Sequence, residues 1–504
     1  MLLPARAQDG AIRAGFERLR DELGVPEDFP AAVRAEAAAA AGAASGGPVR
    51  QGGVGEAPDA AAAAAARVDA TDVPFVTIDP ATSTDLDQAL HLERRGSGYR
   101  VRYAIADVAA WVGAGGRVDE EARRRVVTLY APDERTPLHP PVLTDGAASL
   151  LPDGDRPALL WTIDLDEHGE PESTRVERAT VRSRAKLAYD EVQRALDAGT
   201  ADDVLVLLRE VGTLRQAAER ARGGITLPMP EQVVERTDGR WVLASRRTLP
   251  VEEWNAQISL LTGMRAAATM LEGKVGILRT LPQADPRDVA RLHRSAAALG
   301  VPWDGPDADV IRGLDASVPA QAALLTEATT LLRGAAYVAF DGHVPAYVEH
   351  AAIAAPYAHA TAPLRRLVDR FVGEACVALC AGRDVPDWVR AALPSVPALM
   401  AAGDRRASEY ERGCLDLVEA VLLAGREGET FDGMVVDARE GRGVVQLHDP
   451  VVRARIDGEG LPLGAAVRVR LVEASPAERS VRFELASPPV AAAVAGSPPG
   501  AAPA

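Results

Sequence analysis

Cysteine is scarce in this chain. Only Cys376, Cys380 and Cys414 occur among its 504 residues, and this number excludes a fold that depends on a disulfide framework. None of the three stands at a spacing to histidine that would predict a zinc site. Cys376 and Cys380 are four residues apart on a predicted helix, where small buried residues are commoner than a redox pair. The low cysteine content fits a reducing compartment, and we expect a cytoplasmic protein.

Positive charge is also in deficit. The formal net charge is −16 and the sequence pI is about 5.1. Nucleic acid is a polyanion that a basic surface normally binds, so the composition gives no support for nonspecific binding over the whole surface. Any contact with nucleic acid must use local arginines, because lysine occurs only at Lys186 and Lys274.

Long apolar runs are missing as well. No window approaches about 18 strongly apolar residues without charge, and the apolar run at the start is too short for a signal peptide. We therefore expect no contact with a membrane. Hydrophobic residues make up 47% of the chain and charged residues 25%, which indicates a globular protein with one large core and at least one smaller domain.

The order of the periodic patterns predicts an α+β protein. Residues 1–66 are predicted to be a helical N-terminal extension followed by a linker rich in glycine and alanine. Residues 67–426 begin with strand patterns and continue with helical ones, and form the main domain. Residues 427–487 alternate short strands with glycine turns, which is typical of a small barrel of the OB type, and residues 488–504 are predicted to be a disordered tail. The barrel either binds single-stranded nucleic acid or only packs, since it lacks a row of aromatic residues.

One short segment concentrates acidic residues. In "FVTIDPATSTDLDQAL", Asp85 and Asp87 leave an extended chain on the same face, and the loop after Asp79 can fold back toward them. Close carboxylates repel each other unless a cation or a shared proton offsets them, and oxygen ligands of this kind suit Mg²⁺. Spacing alone leaves two interpretations open, a metal site and a set of solvated turn acids.

The same segment, "TIDPATSTDLDQAL", resembles the signature of the RNB catalytic domain of the ribonuclease II/R family. The resemblance continues in order through "YAIADVAAWV", "VRSRAKLAYDEVQ", "ARGGITLPMPE" and "YAHATAPLRRLVD". It implies an RNB-type domain with a core that is a β-sheet or a β-barrel, ringed by helices. It also implies a hydrolytic exoribonuclease that degrades single-stranded RNA from the 3′ end to nucleoside 5′-monophosphates, with Mg²⁺, or alternatively Mn²⁺, as cofactor.

The resemblance assigns the reacting groups. Asp79, Asp85 and Asp87 match the family's metal-site aspartates, and Asp87 matches the position whose loss is most damaging. Gln88 stands where many members have a further aspartate, and its amide oxygen can ligate a metal but brings no charge. "TAPLRRL" stands in place of the family's "TSPIRRY", and Arg365 is the candidate group for the scissile phosphate because its planar fork can hold two phosphate oxygens.

Contacts with RNA are implied at further positions. Tyr130 matches the tyrosine that stacks on the terminal base, the alternative being a core residue, and Arg366 is expected to hold backbone phosphate or to pair with Asp369. The other RNA-binding positions implied by the resemblance are Tyr357, His359, Thr361, Arg156, Arg184, Lys186 and Glu411. The last four of these could equally form packing salt bridges. The candidate channel cations are Arg123, Arg124, Arg125, Arg182 and Arg184.

Three expectations concern the protein as a whole. The family's second stacking aromatic has no counterpart near Gln232, which favours a one-sided clamp on the base. The first 66 residues are too few and too helical for two cold-shock barrels, so we expect a looser grip on RNA and lower processivity. We expect a monomer without a stable protein partner. The rival hypotheses are a catalytically weakened RNA-binding or regulatory protein of the same fold and a phosphodiesterase that acts on small molecules.

Overall fold

The computed structural model describes residues 5–44 and 67–486, and its largest sheet is a closed five-stranded barrel with the strand order β1-β2-β3-β6-β7. These strands are Val68–Asp79 (β1), Gln88–Arg95 (β2), Gly98–Ala106 (β3), Asp155–Leu165 (β6) and Pro171–Ala188 (β7). β1 pairs with β7 in parallel, from Val68 opposite Ala179 to Asp79 opposite Ala188, and this pairing closes the barrel. The core-facing side chains are apolar and bulky, as in Tyr103 and Trp161, both of which are fully buried.

Helices pack against the outside of this barrel. The helix Asp203–Arg222 (α5) contacts β2, and the helix Leu367–Cys380 (α10) contacts β7. Because both faces of the strands are covered, β3 is buried along nearly its whole length rather than in alternation. The other α-helices are Ala5–Leu23 (α1), Ala31–Ala44 (α2), Arg117–Arg125 (α3), Tyr189–Asp197 (α4), Pro250–Gly273 (α6), Pro286–Ala298 (α7), Asp307–Arg312 (α8), Pro319–Ala328 (α9), Asp387–Ala392 (α11) and Val396–Leu423 (α12).

The main domain also contains short two-stranded antiparallel sheets. They pair β4 with β5, β8 with β9, β10 with β11, and β12 with β13. The strands are Leu129–Tyr130 (β4), Arg135–Thr136 (β5), Glu231–Thr237 (β8), Arg240–Arg246 (β9), Val275–Thr280 (β10), Ala336–Asp341 (β11), Glu349–His350 (β12) and Ala355–Pro356 (β13). The β4–β5 hairpin places Tyr130 directly opposite Arg135.

The C-terminal strands form a second closed barrel, in the order β14-β15-β16-β18-β17. Its strands are Thr430–Arg439 (β14), Arg442–Leu447 (β15), Arg453–Asp457 (β16), Ala466–Ser475 (β17) and Ser480–Leu485 (β18). Phe431 and Phe483 lie edge to face in its core and are both buried. The predicted OB-like barrel is confirmed, and its aromatic side chains lie inside it.

The N-terminal helix packs closely on α12. A Cβ placed on Gly15 would lie 2.4 Å from a methyl carbon of Leu417, and one placed on Gly413 would lie 2.8 Å from a methyl carbon of Leu19. Each glycine therefore receives a leucine from the other helix, which allows the two backbones to approach. The predicted helical extension is confirmed for residues 5–44, whereas the predicted linker up to residue 66 and the tail from 488 lie outside the described residues.

Within the described ranges, no helix is long and apolar enough to cross a membrane. The mixture of strands and helices confirms the α+β prediction, with a β-barrel core ringed by helices.

Glu419 of α12 links the main domain to the C-terminal barrel. Its Oε1 accepts hydrogen bonds from Gln232 Nε2 at 2.7 Å and from the backbone N of Arg453 at 2.9 Å. Gln232 also donates to the carbonyl of Val451, 2.8 Å away. Gln232 thus fixes the C-terminal barrel to the main domain. Burial raises the pKa of Glu419 to about 7, because a charged carboxylate is poorly solvated in the interior.

The stability of the protein should therefore depend on Glu419 near neutral pH. The pKa of Glu419 in the folded state lies above its unfolded value of about 4.3, so its contribution is complete below pH 4 and is lost as pH rises through 7. Glu419→Gln keeps a carbonyl acceptor without the charge. We expect the variant to be more stable than wild type at pH 8.5 by roughly 2 kcal/mol, and not at pH 5.

Urea unfolding at both pH values measures this difference, with the exposed Glu459→Gln as control. An equal shift at pH 5 and pH 8.5 would contradict the assignment.

Candidate functional site

Asp87 lies at the junction of the acidic segment and the arginine loop, residues 361–366. It is 4% exposed and immediately precedes β2. Its Oδ1 accepts a hydrogen bond from the backbone N of Leu364 at 2.7 Å, and its Oδ2 accepts one from Arg365 Nε at 3.1 Å. The two segments are about 280 residues apart in sequence, and the predicted juxtaposition of Asp87 and Arg365 is present in the structure.

Two aspartates of the segment carry strongly raised pKa values. Burial raises the pKa of Asp87 to about 7 and that of Asp79 to about 6, and the positive charge of Arg365 opposes the rise in both cases. The negative charge of Asp85 adds to both rises. Burial therefore outweighs the opposing charge of Arg365 at both carboxylates, and carboxylates perturbed in this way are typical of functional sites.

Asp85 is paired with an arginine that the sequence analysis missed. Arg135 Nη1 lies 2.5 Å from Asp85 Oδ1, and Arg135 Nη2 lies 2.5 Å from Asp145 Oδ1. Arg135 is on β5, opposite Tyr130. The only signal in the sequence is an arginine five residues after Tyr130, and its reach to Asp85 depends on the hairpin.

Gln88 has both of its polar groups engaged within the protein. Its Oε1 accepts a hydrogen bond from the hydroxyl of Tyr103 at 3.1 Å, and its Nε2 donates to the carbonyl of Thr361 at 2.5 Å. Tyr103 is held in turn by Ser259, with 2.8 Å between the two oxygens. Gln88 therefore links the barrel to the arginine loop, and its Oε1 keeps one lone pair that is not used by the bond from Tyr103.

The arginine loop is fixed by carboxylates on both sides of Pro363. The backbone N of Ala362 donates to Asp369 Oδ1 at 2.7 Å, and the backbone N of Leu364 donates to Asp87. Proline between them lacks a backbone N–H and restricts the backbone. Arg366 forms a two-pronged pair with Asp369, at 3.0 Å from Nε and 2.8 Å from Nη2. The structure thus places Arg366 in the Asp369 pair that the sequence analysis gave as its alternative to phosphate.

Tyr357 and His359 belong to a cluster of rings next to this loop. His359 Nδ1 lies 2.8 Å from the hydroxyl of Tyr337, and the His359 ring contacts the rings of Tyr337 and Tyr357 edge-on. Burial and nearby arginines lower the pKa of His359 well below its usual value. His359 is thus a neutral histidine held by a tyrosine hydroxyl, which is a structural position within this ring cluster. Tyr337 and the Arg279 guanidinium, 4.4 Å from its ring centre, were missed from sequence.

Tyr130 is 50% exposed, so the alternative that it is a core residue is wrong. The charges of Asp85, Arg365 and Asp87 act on its hydroxyl, which places the ring at the edge of the acidic site. An exposed aromatic side chain in this position is available for stacking.

The weaker RNA-binding candidates differ in their placement. Lys186 Nζ donates to the carbonyl of Ala81 at 2.8 Å, in the loop that follows Asp79. Arg156 donates to the carbonyls of Ser149 and Asp155, and Arg184 to the carbonyl of Thr71. Glu411 is exposed on α12, and no hydrogen bond or ion pair connects its side chain to another described residue. These contacts join Lys186 to the acidic segment and leave Glu411 apart from it.

The predicted channel arginines are largely occupied by neighbouring acids. Arg125 is 2% exposed and pairs with Glu121 at 2.7 Å. Its inclusion as a channel cation was therefore wrong, because a buried guanidinium cannot face RNA. The remaining pairs join Arg123 to Asp119, Arg124 to Glu121, and Arg182 to Asp155.

The donor chemistry of the acidic segment fits a divalent cation. Among the described residues, no three or more histidine, cysteine, aspartate or glutamate side chains are already gathered as a metal site. Asp79, Asp85 and Asp87 nevertheless supply the carboxylate oxygens that Mg²⁺ prefers. They would hold such an ion if Arg135, which is now bound to Asp85, moved aside, while Arg365 remains bound to Asp87.

Gly263 of α6 gives the ring cluster its close backbone support. Its carbonyl accepts from the backbone N of Ala358 at 3.1 Å, and a Cβ on it would lie 2.2 Å from a ring carbon of Tyr357. We expect Gly263→Ala to lower stability by about 1–3 kcal/mol through overpacking.

Thermal unfolding tests this, with Gly10→Ala as control. Gly10 is exposed on a helix, and nothing lies within 4 Å of a Cβ added to it, so that variant should gain up to about 1 kcal/mol. A Gly263→Ala variant that melts at or above the wild-type temperature would contradict the packing argument.

Comparisons with known proteins agree with this geometry. The RNB domain family matches residues 67–379, and the RNase II-type exonuclease C-terminal S1 domain family matches residues 429–486. Ribonuclease R of Escherichia coli (strain K12) is 26% identical over 482 residues, covering 84% of this chain and 58% of the relative. Exoribonuclease 2 of Photorhabdus laumondii is 36% identical over 163 residues, covering 32% of this chain and 23% of the relative. The chain thus spans less than two thirds of these curated relatives.

A solved structure shares the fold. Mycoplasma genitalium RNase R in complex with ribose methylated single-stranded RNA superposes with a TM-score of 0.81 at 18% identity, covering 94% of this chain and 78% of that one. Because the RNB match covers more than half of the residues and includes both the acidic segment and the arginine loop, the resemblance found in the sequence is confirmed and the chain belongs to the RNB family.

Proposed function

We propose that the protein is a hydrolytic exoribonuclease that degrades single-stranded RNA from the 3′ end to nucleoside 5′-monophosphates. The observation that carries this proposal is the bond between the buried Asp87 and Arg365, which joins the acidic segment to the arginine loop. The relatives' names, Ribonuclease R and Exoribonuclease 2, support the same activity. The solved RNase R that shares the fold contains single-stranded RNA, which supports the substrate class.

Asp79, Asp85 and Asp87 are the proposed ligands of a divalent cation, Mg²⁺ or Mn²⁺. Such an ion, when bound, would lower the pKa of a water that attacks the terminal phosphodiester. Arg365 offsets the negative charge that develops on the phosphate. The backbone N–H of Leu364 and the Nε of Arg365 hold Asp87 in a fixed orientation, so little reorganisation is needed during the reaction.

Individual arginine and lysine side chains would supply the contacts with RNA, because the protein as a whole carries a negative net charge. Arg184 and Lys186 lie near the end of β7, beside the acidic segment. Each donates a hydrogen bond to one backbone carbonyl. Binding to RNA should weaken as salt rises. We further propose that the protein acts as a cytoplasmic monomer, that its domains run from 67 to 426 and from 427 to 487, and that the C-terminal barrel contributes to RNA binding.

Digestion of a single-stranded oligoribonucleotide labelled at either end tests the activity. With Mg²⁺, the 3′ label should appear at once as mononucleotide, while the 5′ label remains in progressively shorter products; chelator should stop both. A dinucleotide cut as fast as the oligomer would instead support a small-molecule phosphodiesterase. Internal fragments as first products would contradict an exonuclease.

A catalytically weakened RNA-binding protein is the second candidate. The observation that favours it is that Gln88 has no charge and that both of its polar groups are bound within the protein. It predicts RNA binding without release of mononucleotides at any Mg²⁺ or Mn²⁺ concentration. Binding and cleavage measured on the same wild-type sample distinguish the two candidates.

The ring of Tyr130 is proposed to stack on the terminal base. Tyr130→Ala should weaken binding of a short single-stranded RNA by roughly 5- to 150-fold, since stacking contributes about 1–3 kcal/mol per base. Its final products should also be longer than those of wild type.

Tyr130→Phe keeps the ring and should retain the wild-type product length. Fluorescence anisotropy in chelator and gel analysis of end products measure the two effects. Identical end products for Tyr130→Ala and wild type would exclude Tyr130 as a stacking residue.

A further inference from the structure

Arg135 lies between the acidic segment and a neighbouring acid. Its two terminal nitrogens each lie 2.5 Å from a different carboxylate, those of Asp85 and Asp145. The Arg135 side chain is 22% exposed, that of Asp85 12% and that of Asp145 32%. The pair with Asp85 is thus the more sheltered from water.

This arrangement gives Asp85 a cation that belongs to the protein itself. The charge of Asp85 acts on both Asp79 and Asp87, so whatever cation is bound at Asp85 also determines the electrostatic balance of the other two. A guanidinium and a divalent cation on one carboxylate would repel each other strongly in a poorly solvated place. Binding of a metal at Asp85 must therefore displace Arg135 or weaken its hold.

Asp145 offers the displaced guanidinium a second partner. Arg135 already contacts Asp145 through Nη2, so it can leave Asp85 without losing every charged neighbour. Because Arg135 faces Tyr130 across the β4–β5 hairpin, the pair with Asp85 also ties that hairpin to the acidic segment. These contacts connect the occupant of Asp85 to the proposed base-stacking residue.

We propose that Arg135 is a positioning residue that competes with the divalent cation for Asp85, so that it sets the metal concentration at which the site fills. The inference rests on the proposed function, because it concerns the cation that the acidic segment would hold. The change in metal affinity on removal of Arg135 distinguishes this role from that of a purely structural ion pair. Loss of a structural pair would loosen the site, whereas loss of a competitor makes metal binding tighter.

Titration with Mn²⁺, followed by its electron paramagnetic resonance signal, measures the competition without RNA. We expect Arg135→Leu to bind Mn²⁺ about five- to tenfold more tightly than wild type. Asp145→Asn leaves Asp85 as the sole charged partner of Arg135 and should weaken Mn²⁺ binding by about two- to fivefold. The matched control is Arg291→Leu, which removes an arginine that also bridges two acids, Asp288 and Glu327.

Thermal unfolding supplies a second readout. Arg135→Leu should melt below wild type in chelator and gain more than wild type from added Mn²⁺. Unchanged or weaker Mn²⁺ binding by Arg135→Leu would overturn the proposal. If that variant fails to fold, tighter or unchanged binding by Asp145→Asn would overturn it equally.

RNA digestion keeps the two conclusions separate. Opposite shifts in Mn²⁺ affinity without any hydrolysis of RNA would reject the proposed function and retain the competition at Asp85. Hydrolysis with unaltered Mn²⁺ affinities would retain the function and reject the competition, and a wild-type protein that binds no Mn²⁺ would reject the competition as well.

Discussion

Asp87→Asn is expected to abolish the release of mononucleotides from RNA while RNA binding is retained. Asparagine has the same shape, and its Oδ1 can still accept the hydrogen bond that Leu364 donates to Asp87. Its amide nitrogen, however, would face Arg365 Nε, which is itself a donor. The variant thus loses one proposed metal ligand and the anchor of Arg365 together, and we expect the rate to fall by at least about 100-fold.

Single-turnover release of a 3′ label measures the chemical step, and anisotropy in chelator measures binding. The control is Asp309→Asn, which alters an exposed aspartate that pairs only with Arg312 among the described residues. Asp87→Asn should fold, because it replaces a buried carboxyl group, whose pKa is raised to about 7, with a neutral amide. A variant that keeps more than a tenth of the wild-type rate would remove Asp87 from the proposed mechanism.

The site residues that could be predicted from the sequence lie in contiguous motifs. The acidic segment and "TAPLRRL" each carry their pattern within about 15 residues, so Asp87 and Arg365 could be assigned from sequence. Arg135 could not, because its partner Asp85 is reached only through two strands of two residues each. Strand pairs this short leave no alternation for a pattern to detect.

Helix orientation explains the error among the arginines. "RRR" at the end of α3 looks like a basic patch, but successive helical residues point about 100° apart and only some of them face solvent. Arg125 points inward, where its guanidinium stacks 3.6 Å over Phe29 and pairs with Glu121. Nothing local in the sequence reveals that the connection between the two N-terminal helices supplies Phe29 at that place.

The strands of the main domain were predicted from alternation and apolar runs, whereas a barrel was implied only by the family resemblance and not by any local pattern. Closure depends on β1 pairing with β7, whose residues are about 110 positions away in sequence. Such long-range pairing is determined by the packing of the whole core, not by the local pattern. The C-terminal barrel was easier to predict because its neighbouring strands are mostly joined by short turns.

Arg365 is positioned to act on a phosphate while it remains bound to Asp87. Its Nε donates to Asp87, and its two terminal nitrogens have no hydrogen-bond partner among the residues that the structure describes. Its side chain is 46% exposed, so these nitrogens are open to a ligand. One edge of the guanidinium is thus anchored through Nε, and its two terminal nitrogens are available for a two-pronged contact with phosphate oxygens.

Arg365→Lys should therefore be nearly as damaging as Arg365→Ala. The single ammonium of lysine can pair with Asp87 or with phosphate but cannot reproduce the fork. We expect both variants to lose about 100-fold or more in the single-turnover rate, with a much smaller change in RNA affinity. Arg366→Ala provides the contrast, because Arg366 is already paired with Asp369 at two atoms. It should lower the melting temperature, whereas the Arg365 variants should melt close to wild type. An Arg365→Lys variant with near wild-type turnover would show that a positive charge alone suffices, and the proposed two-pronged grip on the phosphate would be wrong.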